Sequence, residues 1–120
     1  MLELLISVME QDSAPVVICD LNSVIVYMNS AAKIRYHADL TGKSLKTCHP
    51  PQANAAIDRV LDWFRSSKEH NRVYTFRNDR EDKDVYMIAL RNSDGDLIGY
   101  YEKHEYRNRE TTPCLGEYKC

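Results

Sequence analysis

Asp20-Leu21-Asn22-Ser23-Val24-Ile25-Val26-Tyr27-Met28-Asn29-Ser30-Ala31-Ala32 is the stretch of this 120-residue chain on which its fold turns. The first four residues are turn chemistry, because Asp and Asn side chains can bond their own backbone. Val24 to Met28 is short, apolar and largely β-branched, so it reads as a strand. Asn29-Ser30 can cap a helix running through Ala31, Ala32, Ile34 and Tyr36. Just upstream, Val16-Val17-Ile18-Cys19 reads as a strand bounded by turn residues, so the two strands form a hairpin. Both strands are apolar on both faces, whereas a half-solvated hairpin alternates apolar and polar residues. Each face therefore needs a cover. Leu2, Leu5, Ile6 and Met9 recur at helical spacing, which makes residues 2–11 an amphipathic helix and one such cover. A second subunit is another, and these four residues are the expected dimer interface.

Further along, the segment from His37 to Thr47 reads as irregular, with Gly42 as a break. Pro50 and Pro51 suit the first turn of a helix, where a missing N–H loses no partner. From there Ala53, Ala56, Ile57, Val60, Leu61 and Phe64 form one apolar stripe, with Asp58, Arg59, Asp62 and Arg65 opposite. The spacing predicts a helix over 51–67. Three strands follow, over 72–76, 85–90 and 97–102. The charged loop Asn78–Asp84 and the strong turn Asn92-Ser93-Asp94-Gly95 separate them. After Glu105 the apolar pattern fades, so residues 1–106 read as one domain and 107–120 as a loose tail. Two strand groups distant in sequence must share one core. The expectation is an α+β domain with a five-stranded antiparallel sheet, helices packed on one face, and an N-terminal helix.

The bulk numbers narrow the class. Hydrophobic residues make up 43% and charged residues 28%, with a formal net charge of -2. A basic surface of the kind that binds nucleic acid is missing. No apolar run approaches the roughly 20 residues that span a bilayer. The N-terminus carries Glu3 where a secretion signal has a basic flank, so a cytoplasmic location is expected. The cysteines, Cys19, Cys48, Cys114 and Cys120, contain no closely spaced pair of the kind that holds structural zinc. Cys19 lies in an apolar run and reads as a buried small hydrophobe. Cys114 and Cys120 fall in the tail.

With these residues in place, the 20–32 stretch resembles the PAS signature of an acidic turn, a GxIxYxN strand and an Ala-Ala helix start, with Ser23 in place of the usual glycine. Asn92 to Gly99 resembles the DxxGxxxG-like turn between the last two PAS strands. The resemblance covers about residues 2–105. A narrower likeness lies in Gly42-Lys43-Ser44-Leu45-Lys46-Thr47-Cys48-His49-Pro50-Pro51, which is similar to a G-x-x-V-x-x-C-H-P-P run. That run belongs to PAS domains found after hemerythrin-like domains in some bacterial proteins. The chain would then be a free-standing relative or a fragment.

The PAS resemblance implies a sensory domain with a cavity between the sheet and the central helix, and no catalysis. The expected lining is Ile57, Leu61 and Phe64 on the helix, Cys48 and His49 at its entry, and Tyr27, Tyr74, Tyr86, Ile88 and Tyr100 on strands. Buried tyrosine rings with a reachable hydroxyl suit small-molecule pockets, and ordinary sheet packing is the alternative for each. Alternation does not fix which strand face is inward when both are apolar. Cys48-His49 precedes a helix N-terminus, where the dipole can lower a thiol pKa and a histidine can ligate a metal or haem iron. The alternative is that Cys48 packs inward and His49 bonds locally. Haem-binding PAS domains usually carry their ligating histidine on the central helix. Here residues 52–66 have none, and His37, His49 and His70 lie outside it. The resemblance to flavin-binding PAS domains fails at Gly42-Lys43-Ser44-Leu45, where they need a G-x-N-C-R-F-L-Q run, so a flavin photocycle is not expected. Three functions follow. They are a ligand-binding sensory module transmitting through a homodimer or a partner protein, a dimerisation module with a filled core, and a haem or redox sensor at Cys48-His49.

Overall fold

The computed structural model describes residues 1–116, apart from the side chain of Cys48. Helix α1 spans Leu2–Glu10, strand β1 Val17–Cys19, β2 Ile25–Met28, and helix α2 Ser30–Tyr36. A 3-10 turn at Leu45–Cys48 leads into α3, Pro51–Ser66. Strands β3, Arg72–Asn78, β4, Lys83–Arg91, and β5, Leu97–Tyr106, complete the chain. The sheet is five-stranded and antiparallel in the order β2-β1-β5-β4-β3, so the expected α+β architecture is what forms. Among the described residues no helix is long and apolar enough to cross a membrane.

The first hairpin and the last strand meet at the centre. Val17, Ile18 and Cys19 pair with Glu102, Tyr101 and Tyr100. Gly99 allows this approach, because a Cβ there would strike the Cys19 carbonyl oxygen. A central position explains why β1 is apolar on both faces. Its inner residues Val17 and Cys19 join Ile25, Met28, Met87 and Tyr100 under Ala32, Leu45, Ile57, Leu61 and Phe64. Cys19 is the buried small hydrophobe expected, and burial pushes its thiol up to about 11. The outer face of Ile18, Leu90 and Tyr101 shares a hollow with Val8 and Met9 of α1.

The turn between β1 and β2 forms as its residues predict. The Asp20 carboxylate accepts from the amides of Asn22 at 2.9 Å and Val24 at 3.0 Å. Ser23 takes a positive φ of 62°, which accounts for glycine in the PAS signature. The Ser23 hydroxyl is buried and accepts a 2.8 Å hydrogen bond from the Tyr100 hydroxyl.

Three boundaries differ from expectation. The segment 37–47, expected to be irregular, holds the start of the 3-10 turn and a bridge between Val24 and Ser44. The loop after β3 shrinks to residues 79–82, because Lys83 and Asp84 pair with Asn78 and Arg77. Strand β5 continues four residues past Glu102, since β4 supplies partners up to Lys83↔Tyr106. Charged residues hide that extension when one reads for apolar runs alone. Arg107, placed at the head of the tail, is tied down: its amide donates to Asp82 and its guanidinium reaches Asp84 and the Tyr86 hydroxyl.

Candidate ligand pocket

α3 starts at Pro51, whose fixed φ and missing N–H suit a first helical turn, after Pro50 has stayed extended, and that first turn is fixed by Asn54. That side chain donates to the carbonyls of Lys46 at 3.0 Å and His49 at 3.5 Å. The stripe of α3 divides by side-chain size. Ile57, Leu61 and Phe64 are buried against the sheet, while Ala53, Ala56 and Val60 flank a gap beside β3. Alanines on a helix leave room that a Leu or Phe would fill.

On the sheet side, β3 is bulged at Thr75. Tyr74 pairs with Tyr86 and Phe76 with Val85, so Thr75 is the extra residue. The Thr75 hydroxyl donates to the Val85 carbonyl at 2.9 Å. The result is a cavity of about 230 Å³ walled by His49, Ala53, Ala56, Ile57, Val60, Thr75, Phe76, Met87 and Glu102. A second hollow of about 440 Å³ shares Ala56, Val60 and Thr75 with it and continues along α3 past Arg59 to Trp63. The Trp63 ring stacks on His70 with centroids 3.9 Å apart.

Glu102 is the acidic group of the cavity. It sits on the inner face between Tyr100 and His104, opposite Met87 on β4 and Val17 on β1. Its carboxylate makes no hydrogen bond among the described residues, and the nearest ring nitrogen, His104 Nε2, is 3.8 Å away. Desolvation pushes the Glu102 carboxyl up, opposed by His49, Lys83 and Arg35. His104 is buried and pushed down to about 4, first by desolvation and then by Lys83 and Arg35, so it stands neutral near pH 7. Lys83 is fully buried, with Nζ 3.4 Å from Glu81 and 5.3 Å above the Tyr106 ring. Lys83 Nζ and His104 Nδ1 have no hydrogen-bond partner among the described residues.

The structure brings together only part of the expected lining. His49 and Ile57 wall the cavity. Leu61, Phe64 and Tyr100 are buried in the adjoining core. Tyr27, Tyr74, Tyr86 and Ile88 do not wall this cavity, because strand register sends them to the other face; Tyr74 borders only the second hollow. Tyr27 pairs across to Ile18 and bonds Glu10 of α1. Ile88 lies opposite Arg72 and Tyr101. The rings of Tyr74 and Tyr86 meet at 5.4 Å, with Arg72 over Tyr86 at 4.0 Å. The Cys48 side chain and Cys120 lie outside the described residues. Among the described residues no three His, Cys, Asp or Glu side chains gather to hold a metal. Sequence reasoning missed Glu102, Met87, Thr75 and Phe76. Period-two alternation from Tyr100 reaches Glu102 within the expected strand 97–102, so that signal was present in the sequence.

No protein-family model matches the sequence, and no curated protein matches it. Solved structures do. The C-terminal domain of a protein from Streptococcus mutans aligns with a TM-score of 0.67 at 20% identity, covering 88% of this chain and 84% of that one. The PAS domain of a protein from Colwellia psychrerythraea aligns at 0.65 and 10% identity, covering 88% and 95%. A sensory box sensor histidine kinase from Vibrio cholerae aligns at 0.58 and 17% identity, covering 86% of each. The fold is the PAS fold.

Proposed function

We propose that this PAS-fold chain is a sensory module that binds a small molecule in the cavity between α3 and the sheet, and binds it without chemical change. The observation that carries this reading is the cavity itself: apolar walls from Ala53, Ala56, Val60, Phe76 and Met87 around one inward carboxylate. That combination of apolar lining and few polar groups is typical of small-molecule sites. The likeness to a sensory box of a histidine kinase supports the sensory part. Kinship with PAS domains that follow hemerythrin-like domains belongs to the proposal too, and rests on the Gly42–Pro51 run alone.

Native mass spectrometry of freshly purified protein tests the reading. The expected result is a ligand mass above the polypeptide, lost in Ala56→Phe, which fills the gap from the helix side. A ligand at about 100 times its Kd stabilises by about 2.7 kcal/mol, so adding it back should raise the melting temperature of the parent by several degrees. Bare polypeptide, with no library compound raising the melting temperature, would end this reading.

A second reading, that the domain also self-associates through α1, is favoured by one observation. None of the α1 residues is buried, and Leu2, Leu5 and Val8 are 70%, 53% and 71% exposed. Ile6 is also exposed, and Met9 is half-buried against the outer sheet face. Light scattering should show a dimer for the whole chain and a monomer after deletion of residues 1–11. A dimer that survives the deletion, or a monomer throughout, rejects it.

A further inference from the structure

Within the proposed small-molecule reading, on which this inference rests, the charges around the cavity specify what kind of molecule fits. The walls are aliphatic or aromatic on the α3, β3 and β4 sides, so the ligand body is apolar. Polar groups on the walls are few: the Thr75 hydroxyl already donates to the Val85 carbonyl, and His49 lies at the entry to α3. That leaves Glu102, whose oxygens accept no hydrogen bond among the described residues. Nearby cationic groups do not hydrogen-bond it: His49, on the same cavity wall, favours its charged form only through space. Lys83 does not wall the cavity and has Glu81 at 3.4 Å, His104 stands 3.8 Å off, and Arg35 is engaged bidentately by Glu81 at 2.6 and 3.1 Å.

The Glu102 side chain keeps 25% exposure, so water reaches its carboxylate; a ligand body that displaces that water leaves the charge uncompensated unless the ligand itself supplies a cationic donor. We propose that the cavity takes a small molecule with an apolar body and a single cationic nitrogen head, an amine or amidine, and that Glu102 binds the head. An ammonium supplies donors at the one place where acceptors stand open, and its body displaces water from Ala56, Val60, Phe76 and Met87. An anionic ligand would meet Glu102 head-on. A neutral alcohol would satisfy one acceptor and leave the charge unpaired.

Three probes with one skeleton separate these cases: benzylamine, benzyl alcohol and benzoate, titrated into the whole isotope-labelled chain and followed by amide shifts at Thr75, Phe76 and Met87. Benzylamine should bind about tenfold or more tighter than benzyl alcohol, as a charge-assisted hydrogen bond requires, and benzoate more weakly than either. Glu102→Gln keeps the shape and should erase the preference for the amine. Ala53→Lys makes the same test without touching the sheet, because its own ammonium enters the cavity of Glu102 and should exclude benzylamine while leaving the fold intact. Benzoate binding best, or an amine preference that survives in Glu102→Gln, overturns the cationic assignment while pocket shifts uphold a ligand site. Absence of any shift with benzylamine overturns it as well, and native mass spectrometry then decides separately whether the cavity holds a ligand at all.

Discussion

Asn29→Ala is expected to lower stability by about 3–5 kcal/mol, a loss reserved for breaking a buried hydrogen-bond network. Asn29 is fully buried and bonds with both ends of its amide. Its oxygen accepts from Ala32 N at 2.9 Å, which caps α2, and from Val16 N at 2.9 Å, at the entry to β1. Its nitrogen donates to the carbonyls of Met9 at 2.9 Å, Ala14 at 3.0 Å and Asp12 at 3.3 Å. Alanine removes the cap, worth about 1 kcal/mol, and strands buried backbone groups whose desolvation costs about 1–3 kcal/mol each, without full additivity. Serine should recover the cap alone, because its stem is too short to reach Met9 and Ala14. Urea unfolding reads the effect as a lower midpoint at constant slope. A loss below about 1 kcal/mol would mean that the network is not what joins α1, β1 and α2.

The second large effect is expected at Arg91, whose guanidinium holds the far end of α3. It donates to Phe64 O at 2.7 Å, Ser67 O at 3.1 Å, His70 O at 3.1 Å, Gly95 O at 3.0 Å and Asn71 Oδ1 at 2.6 Å. The last carbonyls of a helix lack intrahelical partners, and a cation there also meets the favourable end of the dipole. Arg91→Met keeps the stem's bulk and removes every one of these bonds, so the loss should be about 2–4 kcal/mol. Arg91→Lys should recover only part, since an ammonium is a point charge and cannot span so many acceptors. Under the proposed function the same variants should weaken ligand capture, because the Arg91 clamp fixes the C-terminal end of the helix that walls the cavity. If Met and Lys both unfold within about 0.5 kcal/mol of the parent, the clamp carries no weight.

These two networks also show what could be read from sequence and what could not. The order of elements along the chain, the turn at Asp20 and the cap at Asn29 are legible because each rests on local chemistry within a few residues. The apolar stripe of α3 was legible for the same reason. The far partners of Asn29, and all those of Arg91, span from four to 27 residues and leave no periodic trace. The candidate site suffered most. Tyr27, Tyr74, Tyr86 and Ile88 were assigned to the cavity by residue type, yet the register that puts Tyr100 inside puts all four outside. That register depends on pairing between segments about 80 residues apart, which alternation cannot supply, while the bulge at Thr75 is what turns Phe76 inward. Glu102 was passed over because a charged residue reads as the end of a strand.

The contact between Ser23 and Tyr100 links two positions that the chain keeps 77 residues apart. A serine in a left-handed turn carries a steric cost that glycine avoids, and a buried tyrosine hydroxyl needs a partner. The two liabilities cancel each other. Among related sequences, glycine at position 23 should therefore accompany phenylalanine or another hydroxyl-free residue at position 100, and serine should accompany tyrosine. The departure from the PAS signature at Ser23 is thus tied to Tyr100 by direct contact, and an alignment of relatives in which the two positions vary independently would refute the coupling.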